Sequence, residues 1–130
     1  MAYSGYEDYF SKKVIISVAT TGGHHGKEAN PNLPTQPEEV AEDIKACEEA
    51  GASIVHLHAR DEDGENTKSV ARYQELRDEI EAACDDIIVN FTTGGGGIYS
   101  REKRIAPILE TDPRPEMATV DLGPINFGQT

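Results

Sequence analysis

The sequence predicts an α/β fold on a parallel sheet, specifically about the first four strands and three helices of a TIM (β/α)8 barrel. Three observations carry this expectation. Apolar, β-branched stretches start near residues 13, 54, 87 and 117. Amphipathic helical stretches separate them, and strands joined through helices run parallel. After a long first connection the strand starts recur at about 30 residues, close to the unit length of an eight-fold barrel of roughly 250 residues. The alternative is a small open α/β sheet, against which stands a chain that stops just after a strand with no helix to cover it. The expected organisation is a leader over 1–11 and, over 12–130, the N-terminal part of a barrel domain truncated before its C-terminal strands.

Taken in order, Lys12 to Ala19 (KKVIISVA) reads as a buried strand. Thr20 to Pro34 is a polar connection rich in Gly, Pro and Asn. Strand-to-helix links usually run about 2–6 residues, so one this long is expected to serve function. Thr35-Gln36-Pro37-Glu38 reads as a capping box with a first-turn proline, and Val40, Ile44 and Cys47 give the helix its apolar face up to Gly51.

A strand over Ser53–Arg60 follows, then a turn at Asp61–Gly64 and a helix from about Val70 to Cys84, with Tyr73, Leu76, Ile80 and Ala83 inward. Asp86 to Phe91 is the third strand, leading into Thr92-Thr93 and four glycines. A helix over Tyr99–Leu109 is weakened at its end by Pro107. Met117 to Leu122 is the fourth strand.

Composition narrows the function. Twelve basic against 24 acidic residues give a net charge of −12. Nucleic-acid and anionic-membrane binding are excluded for want of a basic patch. The acids are spread through helices as solvated faces, a surface that a salt-rich cytoplasm would also favour. No apolar run approaches the roughly 20 residues of a membrane span, and residues 1–10 do not read as a signal peptide. The expected compartment is the cytoplasm. Cys47 and Cys84, in helical stretches beside apolar neighbours, read as small buried hydrophobes.

The chemistry concentrates in Ser53-Ile54-Val55-His56-Leu57-His58-Ala59-Arg60. Alternation on a strand puts Ile54, His56 and His58 on one face. Two imidazoles roughly 7 Å apart along a strand suit a shared metal ion; two separately hydrogen-bonded histidines are the structural alternative. In a parallel fold the carboxyl ends of strands form one rim, here Thr20–His25, His56–Arg60, Phe91–Gly97 and Asp121–Gly123. His24 and His25 are further ligand or acid–base candidates, or a solvated pair. Arg60 is expected to pair with Asp61 or Asp63, a substrate carboxylate being its alternative partner. Thr92, Thr93 and the glycines offer hydroxyls and amides to an anionic oxygen, or form a hinge. Asp121 is a base or ligand-orienting candidate, or a cap.

Several stretches then fit one pattern: Thr21-Gly22, Pro31 to Glu39, Ala46 to Gly64 (ACEEAGASIVHLHARDEDG), Thr92 to Gly97 (TTGGGG), Lys103 to Pro107 (KRIAP) and Pro115 to Gly128 (PEMATVDLGPINFG). Together they resemble the β-keto acid cleavage enzymes, over nearly all of the chain after the leader and about the first two-fifths of a family member. The resemblance implies a complete TIM barrel and a zinc-dependent acyl exchange, in which a β-keto acid and acetyl-CoA give acetoacetate and a new acyl-CoA. It implies that His56 and His58 are zinc ligands and that Thr92, Gly95 and Thr119 contact substrate. His24 stands in place of a glutamate that recognises a substrate amino group, and Asp121 in place of an asparagine, which points to a β-keto acid without an amine. A third ligand, a late glutamate, and a nearby arginine are expected beyond residue 130. The missing strands are expected from a second copy or a partner chain, or from residues absent from this sequence. The competing expectations are a non-catalytic fragment that associates through its open sheet edge, and an aldolase-like metal lyase.

Overall fold

The computed structural model describes residues 12–95 and 98–120. The elements are β1 (Ser17–Val18), α1 (Pro37–Glu49), β2 (Ile54–Leu57), α2 (Val70–Ala83), β3 (Ile88–Phe91), α3 (Arg101–Glu110) and β4 (Met117–Ala118). All four strands are parallel and lie in sequence order, β1-β2-β3-β4. A doubly wound sheet reverses its strand order at a switch point, whereas a barrel adds each strand beside the last. The sheet therefore has the order of a barrel arc.

Alternation on β2 and β3 divides the sheet into two faces. Val55, Leu57, Val89 and Phe91 are fully buried against Val40, Ala41 and Ile44 of α1 and Tyr73, Leu76 and Ile80 of α2. The Tyr73 and Phe91 rings pack at a tilt of 59° with centroids 4.7 Å apart. Ile54, His56, Ile88 and Asn90 occupy the opposite face, the side that lines the interior of a closed barrel. Cys47 and Cys84 are free thiols, each half-buried. Among the described residues, no helix is long and apolar enough to cross a membrane.

Several boundaries differ from the sequence expectation. The first strand shrinks to Ser17–Val18, and Val14 and Ile15 are about three-quarters exposed, not buried. Ile16 still accepts from the N–H groups of Ser53 and Ile54. As an edge segment it meets β2 on one side, so apolar character alone did not place it in a core. The histidine strand ends at Leu57, with His58 just beyond it. The third strand begins at Ile88, and only Met117–Ala118 of the fourth segment pairs as strand. The expected leader over 1–11, Gly96, Gly97 and the segment from Asp121 onward lie outside the described residues.

Helix starts moved for identifiable reasons. Gln36, with extended backbone ahead of Pro37, is the N-cap of α1. The acid of the box is therefore Glu39, whose Oε2 accepts from the N–H groups of Gln36 (3.1 Å) and Thr35 (2.9 Å). In α3, Ser100 accepts from Lys103 N–H at the start. Pro107 does not end that helix: it is buried inside it, and the Thr111 hydroxyl donates to its carbonyl at 2.8 Å.

Arg77 joins helix to sheet. Its guanidinium donates to both oxygens of Glu116 at 2.8 and 3.0 Å, and Glu116 also accepts from Val89 N–H at 2.9 Å. Arg77 holds the Glu116 carboxyl down to about 2 from an ordinary 4.5. A depressed carboxyl contributes stability that is complete above 4.5 and is lost as pH falls towards 2. Because the carboxylate is nearly half exposed, screening limits this to about 1 kcal/mol. Glu116→Gln is expected to flatten the fall of the urea midpoint over that window. An unchanged slope would show that the bridge carries no stability.

Candidate functional site at the carboxyl ends of the strands

The pairing of β2 with β3 sets His56 opposite Asn90. Asn90 Oδ1 lies 3.4 Å from His56 Nδ1 and accepts from it when that nitrogen carries the proton. This tautomer leaves the Nε2 lone pair for a ligand. The rings of His56 and His58 stand edge to face with centroids 5.2 Å apart. They meet although His58 lies just past the strand.

Burial pushes the His58 imidazole down to about 4, with the neighbouring His56 adding to the effect, so it is neutral at pH 7. Among the described residues, buried His58 Nδ1 has no hydrogen-bond partner. Gly23 makes room for that nitrogen, because a Cβ there would sit 2.8 Å from it. The first loop thus closes over the histidine pair, and a side chain at position 23 would displace the ring.

Arg60 fastens this loop. It is 4% exposed and donates to the carbonyls of Gly22 (2.9 Å), His25 (2.8 Å) and Gly64 (3.2 Å). The expected ion pair with Asp61 or Asp63 is absent among the described residues. Asp61 Oδ1 instead accepts from the N–H groups of Asp63 and Glu65, shaping the turn that ends β2. The first loop and this turn enclose a cavity of about 440 Å³ whose lining includes His24, Lys27, Glu28, Arg60 and Glu65. His24 therefore belongs to the wall of this cavity.

The β3 exit forms the other half of the rim. Thr92 is buried, and its Oγ1 accepts from Gly94 N–H at 3.0 Å. Thr93 and Thr119 are doubly linked: Thr119 Oγ1 accepts from Thr93 N–H at 3.2 Å, and the Thr93 hydroxyl donates to the Thr119 carbonyl at 2.6 Å. Gly95 has φ +109 and packs beside Tyr99, leaving no space for a Cβ. The structure thus brings Thr92, Gly95 and Thr119 to one end of the sheet. Asp121, the remaining sequence candidate, lies outside the described residues.

The donor set fits a metal ion in part. A catalytic zinc site takes three protein ligands with an open position. His56 and His58 supply two imidazoles, one with a nitrogen that has no partner among the described residues. Among the described residues, no group of three His, Cys, Asp or Glu side chains is placed to hold an ion.

Sequence inspection alone did not find Asn90, Gly23 or Lys68. Asn90 left a trace as the one polar residue inside an apolar strand, DIIVNF. Lys68 is buried and donates to the Thr92 carbonyl at 3.1 Å. Among the described residues, Arg60 and Lys68 are thus buried cations with no carboxylate in ion-pair contact, in a chain of net charge −12. They place positive potential at the strand ends, where an anion would enter.

The sequence model of the beta-keto acid cleavage enzyme family matches residues 13–130. The chain is 41% identical over 117 residues to the 3-keto-5-aminohexanoate cleavage enzyme of Acetoanaerobium sticklandii, covering 90% of this chain and 42% of that protein. It is 40% identical over 118 residues to the 3,5-dioxohexanoate:acetyl-CoA acetone transferase of Paraburkholderia graminis, covering 90% and 37%. Among solved structures, the binary complex of ObcA with oxaloacetate superposes with a TM-score of 0.59 at 25% identity, over 69% of this chain and 23% of that one. The chain spans about two-fifths of the length of these curated relatives.

Proposed function

The chain belongs to the beta-keto acid cleavage enzyme family, and from that membership we propose that it acts in a zinc-dependent acyl exchange. In this reaction a β-keto acid and acetyl-CoA give acetoacetate and the acyl-CoA of the remaining fragment. The observation that carries the reading is the histidine pair: two imidazoles with centroids 5.2 Å apart, one beside Asn90 and the other with a buried nitrogen that has no partner among the described residues. His56 and His58 would hold the zinc, with the third ligand from outside the described residues. When bound, the ion supplies a Lewis acid for the keto oxygen.

The chain's own groups bind and orient. The Thr92 hydroxyl, the backbone at Gly95 and the Thr119 hydroxyl hold the substrate's carboxylate end. The first loop, pinned by Arg60, covers His58 and excludes water from that side. His24 stands where the resemblance places an amine-recognising glutamate, and that departure is the ground for a β-keto acid without an amino group. The substrates are small molecules. The setting is cytoplasmic.

The test is to supply acetyl-labelled acetyl-CoA together with amine-free β-keto acids and follow both products. Labelled acetoacetate and a new acyl-CoA in equal amounts are expected. Consumption of the keto acid without acetyl-CoA would replace this reading with a metal-dependent lyase. No consumption, with or without zinc, would leave a non-catalytic chain.

A further inference from the structure

Lys68 has no part in the reaction described above, yet its surroundings are unusual for a lysine. It lies between β2 and α2 and is 7% exposed. Its ammonium donates to the Thr92 carbonyl at 3.1 Å and the Tyr73 hydroxyl at 3.3 Å, and lies 5.6 Å from the centre of the Tyr73 ring. An ammonium has three N–H groups. Among the described residues the third has no acceptor, and no carboxylate reaches the charge. Buried charges are ordinarily paired, because desolvation otherwise costs too much. The stem runs beside Gly95, where a Cβ would lie 3.7 Å from Lys68 Cε. The cation therefore sits directly against the loop over residues 92–95.

We infer that Lys68 is the positioning residue of this loop: it fixes the Thr92 carbonyl and supplies the positive charge that lets the loop hold a carboxylate. The identity of the anion, a β-keto carboxylate, rests on the reading in the preceding subsection. The fixed carbonyl orients the Thr92 hydroxyl, while the ammonium offsets the charge of the incoming anion in a chain that otherwise repels it.

The charged and titratable groups around Lys68 are His58 at the end of β2, Tyr73 on α2, Tyr99 ahead of α3 and Arg104 on α3. Burial, with the Arg104 charge adding to it, brings the Lys68 ammonium down to about 8. His58 is held at about 4 and Tyr73 at about 12, so neither titrates between pH 7 and 9.

The experiment is an amide NMR titration of the protein with acetoacetate, in the absence of zinc and acetyl-CoA, at pH 7 and pH 9. Shifts at Thr93, Gly94 and Gly95 are expected, with binding about tenfold weaker at pH 9. Lys68→Met is expected to bind about tenfold more weakly at pH 7 and to lose the pH dependence. Lys68→Gln retains a donor for the Thr92 carbonyl while removing the charge, and decides the matter if the methionine variant does not fold. Unmoved loop amides in the natural protein, or Lys68→Gln binding within about twofold of it, would overturn the inference. Turnover with acetyl-CoA is measured on the same samples. Lys68-dependent binding without turnover rejects the proposed reaction and keeps the role of Lys68; turnover in Lys68→Gln with an unchanged KM does the reverse.

Discussion

Replacing His58 by alanine is expected to lower kcat/KM for the β-keto acid at least about a thousandfold, with little loss of stability. The imidazole contributes one of two adjacent nitrogen donors, and among the described residues its buried Nδ1 makes no hydrogen bond whose loss would weaken the fold. His56→Ala should be similarly inactive but less stable, because it leaves Asn90 Oδ1 without its imidazole partner. Steady-state kinetics beside thermal unfolding separate the two effects. Turnover within tenfold of the natural protein in His58→Ala would remove the histidine pair from the chemistry.

The second large effect is structural. Arg60→Met is expected to destabilise the protein by about 3 kcal/mol, because three backbone carbonyls lose a charged donor at once. The loss should fall on the first loop in particular. Gly22 and His25 are tied through this one guanidinium, and Gly23 between them packs on His58. Amide exchange at residues 22–26 should therefore speed up more than exchange in α2, and metal affinity should fall with it. A variant with unchanged urea midpoint and unchanged loop exchange would show that other contacts hold the loop.

These two side chains illustrate what the sequence made legible. The alternation Ile54-Val55-His56-Leu57 assigned each side chain to a face, and the structure buries Val55 and Leu57 while leaving His56 on the opposite side. Helical spacing likewise identified Val40, Ile44, Tyr73, Leu76 and Ile80 as core. Both patterns are local, set by backbone periods of 2 and 3.6 residues.

Partners distant in sequence carried no such signal. Arg60 lies beside Asp61, yet its guanidinium reaches back 38 and 35 residues to the Gly22 and His25 carbonyls, while the aspartate folds onto its own turn. Asn90 meets His56 across 34 positions only because β2 and β3 pair in that register. Lys68 reads as an ordinary surface lysine until the third strand brings the Thr92 carbonyl to it. Edge position also defeated composition: Val14 and Ile15 look like core and stand exposed beside a short β1.

The central claim is that His56 and His58 share one zinc ion. Bound zinc per chain, measured by elemental analysis after dialysis, tests it most directly in the natural protein, His56→Ala and His58→Ala. The account predicts zinc close to one per completed site in the natural protein and its loss in each variant. Zinc retained equally in both variants would contradict it and place the metal elsewhere.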